Sequence, residues 1–185
     1  MEVTINGMKH TSSDDQASVD LGLEKLLAAY WERIYGVVFR IVGDRFEAED
    51  LALETFYQYH ASPPSKQENI GGWLYRVAAN LGLNALRTRR RREARETQAA
   101  RLDPPPPDLG NPANEVERRL ERQHVRRILA EMKPREAQLL VLRHSGLSYA
   151  ELAETLKINP NSVGKLLARA SAEFEHRYQQ SKRGD

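Results

Sequence analysis

The 185-residue chain has room for one ordinary domain or two small ones, each able to bury a modest core. Cysteine is absent, which excludes a disulfide framework, a thiolate metal site and a cysteine nucleophile, and the five histidines (His10, His60, His124, His144, His176) stand far apart without ligand spacing. The formal net charge of +2 hides an acidic block, net −6 over residues 1–60, and a basic one, net +6 over residues 61–101, which points to two different charged partners, the second a candidate nucleic acid.

Residues 1–20 read as a polar, acidic, disordered tail without the apolar stretch of a signal peptide, and no apolar run approaches the roughly 20 residues of a membrane span. A cytoplasmic protein with no membrane insertion is expected. The rest reads as helix, with no period-two strand and no βαβ alternation, so the fold class is all-α: two small helical domains joined by a proline-rich linker. Leu23, Leu26, Leu27, Tyr30, Ile34, Val37, Val38 and Ile41 form one helical stripe over residues 23–42. Asp44 with Glu47 three residues on predicts a capping box that opens a second helix to about His60, burying Ala48, Leu51, Ala52, Thr55 and Tyr59. Ser62-Pro63-Pro64-Ser65 breaks it. A third helix runs from about Ile70 past Arg92, with Trp73, Leu74, Val77, Ala78 and Leu81 toward the first two. These three helices make a first domain over residues 21–100.

Residues 101–113, with four consecutive prolines, predict a semi-stiff extended spacer and mark the domain boundary. A second domain over residues 114–180 follows. Asn114 with Glu117 is expected to cap a helix to about Met132, and Pro134 to open a short one ending at His144. Ser148 and Glu151 form another capping box, for a helix through Leu156. Lys157-Ile158-Asn159 is a turn, and Asn159-Pro160 opens a last helix to about Tyr178. Two short helices around a tight turn spell a helix-turn-helix.

Three constellations stand out. Glu47, Asp50, Glu54 and Gln58 fall at i, i+3, i+7 and i+11 on one solvent face of the second helix. Like charges four apart cost roughly 0.2–0.5 kcal/mol in an isolated helix. The face is either merely solvated or a dock for a basic partner. On the third helix, Arg76, Asn80, Asn84 and Arg87 lie opposite the apolar stripe beside Trp73: arginine suits phosphate, asparagine suits base edges, and tryptophan can stack on an unpaired base. They could simply face water, with Trp73 in the core. The continuation through Arg89, Arg90, Arg91 and Arg92 favours a polyanion, because seven arginines against two glutamates in residues 87–101 repel one another without one. In the helix-turn-helix, Asn161, Ser162, Lys165 and Arg169 would read the major groove. Gly164 weakens that helix, and a packing unit without DNA contact is the bland alternative.

Catalytic patterns are missing. Gly164-Lys165 lacks the glycine and hydroxyl residue of a phosphate loop, and the His144-Ser145 pair lacks a third group. No enzyme, cofactor or metal is expected.

Glu47-Ala-Glu-Asp-Leu-Ala-Leu-Glu-Thr-Phe56, Trp73-Leu-Tyr-Arg-Val-Ala-Ala-Asn-Leu81 and Arg87-Thr-Arg-Arg-Arg-Arg92 together resemble region two of bacterial RNA polymerase sigma factors. The chain length and Gly146-Leu-Ser-Tyr-Ala-Glu-Leu-Ala153 look like the extracytoplasmic-function group. The resemblance covers roughly residues 21–178. It implies a non-enzymatic sigma factor that binds core polymerase and directs promoter recognition, DNA melting and initiation. Glu47, Asp50 and Glu54 would meet the beta-prime clamp helices. Trp73, Arg76, Asn80, Asn84 and Arg87 would melt and read the minus-ten element, with Arg89, Arg90, Arg91 and Arg92 on phosphates. Region four, with Asn161, Ser162, Lys165 and Arg169, would grip the beta flap and read the minus-thirty-five element. An anti-sigma factor is an implied partner. Leu53 replaces the family's usual glutamine, Asn84 a common aspartate, and Ser162-Val-Gly-Lys-Leu-Leu167 the family's Thr-Val-Lys-Ser-Arg-Leu. Upstream recognition is therefore expected to rely on tethering to polymerase. The alternative is a sigma-like decoy that sequesters an anti-sigma factor.

Overall fold

A computed structural model describes residues 13–65, 69–99 and 112–184, with side chains described for residues 22–65, 69–95 and 117–183. The helices are α1 (Ser13–Val42), α2 (Arg45–Ala61), α3 (Ile70–Ala99), α4 (Pro112–Glu131), α5 (Pro134–His144), α6 (Tyr149–Leu156) and α7 (Val163–Gly184), with one 3-10 turn at Pro160–Ser162 before α7. No strand occurs among the described residues.

The first three helices form a bundle because their apolar stripes converge. Ile34, Val37, Val38 and Ile41 of α1 are buried against Ala48, Ala52 and Phe56 of α2 and Leu74, Ala78 and Leu83 of α3. Close approach depends on small residues: a Cβ on Gly82 would stand 3.0 Å from the Ile41 side chain. Gly43, at φ +76°, ends α1, its N–H donating to the Phe39 carbonyl at 2.8 Å. Asp44 then caps α2, accepting from the Glu47 N–H at 2.9 Å. Asn69 does the same for α3, accepting from the Gly72 N–H at 3.0 Å. Phe56, absent from the expected core, is buried, while Leu51 and Tyr59 are half-buried. Buried Thr55 is satisfied by donating to the Leu51 carbonyl at 2.8 Å.

The second unit is built around α5, buried continuously from Glu136 to Leu142. Ser148 and Glu151 make the expected reciprocal capping box on α6, and the Ser148 hydrogen bonds hold the Glu151 carboxyl below its ordinary pKa. Lys157 ends α6 in the left-handed region, at φ 51°. Asn159 caps the 3-10 turn, accepting from the Asn161 N–H at 2.9 Å.

Several boundaries move. Residues 13–20, expected in the tail, are the first turns of α1; that stretch holds neither proline nor glycine to stop the helix. Pro112 and Ala113, expected in the spacer, open α4, since a proline at the first helical position has no N–H to waste. Asn114 therefore lies inside the first turn instead of capping it. The polyproline segment itself, residues 101–111, lies outside the described residues. At the other end α7 continues to Gly184. The two units also pack together: α3 contacts α4, α5 and α6, and α1 contacts α5.

Candidate polymerase and nucleic-acid surfaces

On α2, the acidic row is only partly open to solvent. Asp50 is exposed, whereas Glu54 is half-buried and accepts from Gln58 Nε2 at 2.9 Å. Glu47 departs from the expectation of an unengaged solvent face: it pairs with Arg89 of α3, whose Nη1 also reaches the Val42 carbonyl at 3.4 Å. The cause is tertiary. A helix of 30 residues is about 45 Å long, so α3 extends past the start of α2 and sets its arginines beside it.

The same helix shows a feature that the charge pattern concealed. Phe46, Leu53 and Tyr57 are 80%, 51% and 66% exposed and, with Asp50, fall at i, i+7, i+11 and i+4. Three large apolar groups in a row on an outer face mark a contact surface more often than a solvated one. Their spacing in the sequence carries this signal, since residues 46, 50, 53 and 57 recur at helical period.

On α3, Trp73 is half-buried and edge-on to Tyr59, ring centroids 5.8 Å apart, so it is shared between the core and a cleft that it lines with Arg76 of α3, Glu154 of α6 and Lys157 just after α6. Arg76 is half-buried, and Asn80, though exposed, is engaged by the neighbouring unit. Arg76 Nη1 donates to the Thr155 carbonyl at 2.8 Å. Asn80 Oδ1 accepts from Gln138 Nε2 at 2.6 Å, and the same Nε2 reaches the Arg76 carbonyl at 3.3 Å. Asn84 Oδ1 accepts from Arg87 Nη1 at 3.3 Å. Burial, reinforced by the neighbouring Arg91, lowers the Arg87 pKa, and its Nη2 is buried without a hydrogen-bond partner. Of the arginine run, Arg89 meets Glu47 and Arg90 meets Glu131 at 2.7 Å, and Arg90, Arg91 and Arg92 are all exposed. The row predicted for DNA is thus split between region-to-region contacts and exposed cations.

In the helix-turn-helix, Asn161 and Lys165 are exposed and Ser162 is half-buried. Arg169 is not simply a groove-reading cation: its Nη2 lies 3.1 Å from Glu136 Oε1, and the Glu136 side chain is only 8% exposed. A buried carboxylate is costly without a charge partner, and Arg169 is the partner. A Cβ on Gly164 would sit 3.6 Å from the Tyr149 ring, so position 164 abuts α6. Among the described residues no cluster of His, Asp or Glu could hold a metal, and no helix is long and apolar enough to cross a membrane.

Comparison with known proteins agrees with this division. Sigma-70 region 2 matches residues 26–92, and Sigma-70, region 4 matches residues 122–173. The chain is similar to the ECF RNA polymerase sigma factor SigE of Mycolicibacterium smegmatis, at 29% identity over 154 residues, covering 82% of this chain and 59% of that protein. It is 35% identical over 63 residues to the ECF RNA polymerase sigma factor SigW of Bacillus subtilis, covering 33% of this chain and 34% of that one. The RNA polymerase sigma-H factor of Pseudomonas aeruginosa is 28% identical over 165 residues, covering 84% and 83%. The chain therefore spans 59% and 34% of the lengths of the first two relatives. Among solved structures the fold is similar to CnrH in complex with the cytosolic domain of CnrY, with TM-score 0.53 and 17% identity, covering 85% of this chain and 87% of that one. It is also similar to the sigma factor RpoE in complex with the anti-sigma factor NepR from Bartonella quintana, with TM-score 0.50 and 16% identity, covering 85% and 97%. With region 2 in α1–α3 and region 4 in α4–α7, the chain belongs to the sigma-70 family of RNA polymerase sigma factors, in its extracytoplasmic-function group.

Proposed function

We propose that the protein binds core RNA polymerase and directs promoter recognition, DNA melting and transcription initiation from the cytoplasm, without catalysis of its own. The observation that supports this best is the pairing of two unlike surfaces on one rigid bundle. The outer face of α2 offers exposed apolar groups beside Asp50, suited to a protein partner; α3 carries Trp73, two asparagines and the arginine run, suited to nucleic acid.

Asp50 and Glu54, with Phe46, Leu53 and Tyr57, would dock on the beta-prime clamp helices. Glu47 would assist by fixing Arg89 and the start of α2. Trp73, Arg76, Asn80, Asn84 and Arg87 would engage the minus-ten element as it opens, with Arg91 and Arg92 on phosphates. Region four would grip the beta flap and reach the minus-thirty-five element through Asn161, Ser162 and Lys165. Arg169 would support that helix from behind through Glu136. One solved neighbour is a complex with the anti-sigma factor NepR and the other a complex with the cytosolic domain of CnrY, and an anti-sigma factor is the partner proposed for this chain.

Run-off transcription with purified core polymerase on a genomic promoter library tests the reading. Transcripts that depend on the added protein and share minus-ten and minus-thirty-five elements are expected. Core binding without any transcript, together with tight capture of an anti-sigma factor, would instead identify a decoy.

A further inference from the structure

The C-terminal part of α3 and a helix it packs against, α4, are both rich in arginine. Residues 87–95 hold six arginines and one glutamate, and residues 117–131 hold five arginines and three glutamates, a joint net charge of +7. Two such helices side by side repel each other, and the protein offers few carboxylates in return. Glu47 of α2 takes Arg89. Glu131 is shared by Arg90 at 2.7 Å and Arg177 of α7 at 3.5 Å, and Glu121 accepts from the Tyr178 hydroxyl at 2.6 Å. Five carboxylates, Glu47 included, therefore stand against eleven guanidiniums.

Arginines of both helices are drawn together at the end of α1. The last carbonyls of that helix lack intrahelical partners and form its negative end. Arg89 reaches the Val42 carbonyl from α3 at 3.4 Å, and Arg126 reaches the Ile41 carbonyl from α4 at 3.1 Å. The Arg126 guanidinium lies over Gly43, where a Cβ would come within 2.2 Å of it. A carbonyl satisfies a donor but neutralises no charge. Burial, with Arg122 and Arg89 as like-charged neighbours, lowers the Arg126 pKa, so the cluster is short of an anion. From there Arg118, Arg122 and Arg126 recur at i, i+4 and i+8 over about 12 Å of α4, and Arg118 and Arg122 are exposed. On α3, Arg92 and Arg95 are exposed as well, the Arg95 Nε donating to the Arg91 carbonyl at 3.2 Å.

We infer that the arginine run of α3 continues onto α4 as one surface that holds the phosphate backbone of double-stranded DNA without reading its sequence, outside the helix-turn-helix and beyond Arg87. Repeated phosphates supply the anion that the cluster lacks, and the guanidinium fork matches phosphate geometry. Residues 87–95 and 117–131 contain no Phe, Tyr or Trp. Single-strand sites pair cations with aromatic rings on which unstacked bases lie, so a surface of cations alone suits the backbone of a stacked duplex. Contacts of this kind position DNA and carry no sequence information. They also release counterions, which makes the binding steeply salt-dependent.

The test is fluorescence anisotropy of the full chain with a labelled duplex that carries no promoter element, titrated at several salt concentrations. The parent should bind, with affinity falling steeply as salt rises. Arg118→Gln with Arg122→Gln on α4, and Arg92→Gln with Arg95→Gln on α3, keep helix-forming side chains and remove the charge. Each pair should lower the slope of log affinity against log salt by about 1.8, or about 0.9 per phosphate contact, and weaken binding by more than about tenfold near 0.1 M salt. The loss should be the same on a duplex that does carry promoter elements. Circular dichroism checks that each variant folds, and Arg119→Gln, expected to lower the slope by about 0.9, decides for α4 should its first pair not fold. Unchanged slopes in the folded α4 variants would overturn the shared surface, as would a loss confined to promoter sequence or a parent that leaves the duplex unbound at low salt. Displacement of the duplex by polyglutamate as readily as by unlabelled DNA of equal charge would assign the surface to an acidic polypeptide instead. No polymerase enters this assay, so failure here and failure of run-off transcription are read separately.

Discussion

If α2 docks on polymerase, its exposed apolar row should matter more than its charges. Full burial of a large apolar side chain is worth about 1.5–3 kcal/mol, and Leu53 and Tyr57 have roughly half to two thirds of their surface still to bury, at 51% and 66% exposed. Each should then add about 1 kcal/mol in the complex, and Leu53→Ala with Tyr57→Ala should weaken core binding by about 2 kcal/mol, on the order of 30-fold. The folded monomer gains little from either group, because neither is in the core; its stability should change by no more than about 0.5 kcal/mol. Asp50 sits between Phe46 and Leu53 in the row, and its attraction would add orientation and rate more than affinity. The assay is a titration of labelled protein with core polymerase at constant salt, alongside a thermal melt of each variant. A double variant that melts like the parent and binds core within twofold of it would refute the docking face. A variant that melts well below the parent would show that the row supports the bundle after all.

Reversing Asp50 and Glu54 to lysine should weaken core binding several-fold while leaving the melting temperature nearly unchanged, and the loss should shrink as salt rises; an equal loss at all salt concentrations would argue against direct charge contact. Arg169→Ala should destabilise region four, because it strands the Glu136 carboxylate. The guanidinium is 66% exposed and therefore screened, so the cost is nearer to about 1 kcal/mol than to the several expected of a fully buried pair, and adding Glu136→Gln should restore the melt. An unchanged melt for Arg169→Ala would return that residue to the DNA-reading set. Replacing Arg91 and Arg92 by alanine should lower affinity about equally across single-stranded sequences and reduce the salt slope by roughly 1.4, about 0.7 per phosphate contact. Asn80→Ala should instead change which minus-ten sequences are preferred, seen as a reordered ranking in the same titrations.

The local devices were legible because their partners are close in sequence. The Ser148–Glu151 box involves residues three apart and forms in full as the spacing predicts, whereas Asp44 caps α2 one way only, the Glu47 carboxylate going to Arg89 instead of closing a box, and Asn159-Pro160 opens a 3-10 turn ahead of α7. The apolar stripe of α1 was equally plain, since period alone assigns Ile34, Val37, Val38 and Ile41 to one side. What escaped were pairs separated by tens of residues: Glu47 with Arg89, Arg76 with Thr155, Asn80 with Gln138, Glu136 with Arg169. Helical period says which side of α3 is polar, but not that a second unit packs there, so polar was equated with solvated. The error was not forced. Ala137-Gln138-Leu139-Leu140-Val141-Leu142 is apolar around the whole helix except at one position, and a helix apolar on all sides is buried on all sides. A lone amide inside such a helix must find its partners on another element, or the protein bears an unpaired buried group worth about 1–3 kcal/mol. Asn80 and Asn84 of α3 are among the exposed polar side chains that the first three helices turn away from their shared core. From α5 alone, then, a neighbour with a polar face could be required, and the face nearest in character was the one set aside for DNA. If Asn80 also meets DNA, as proposed, folding and function draw on the same side chain.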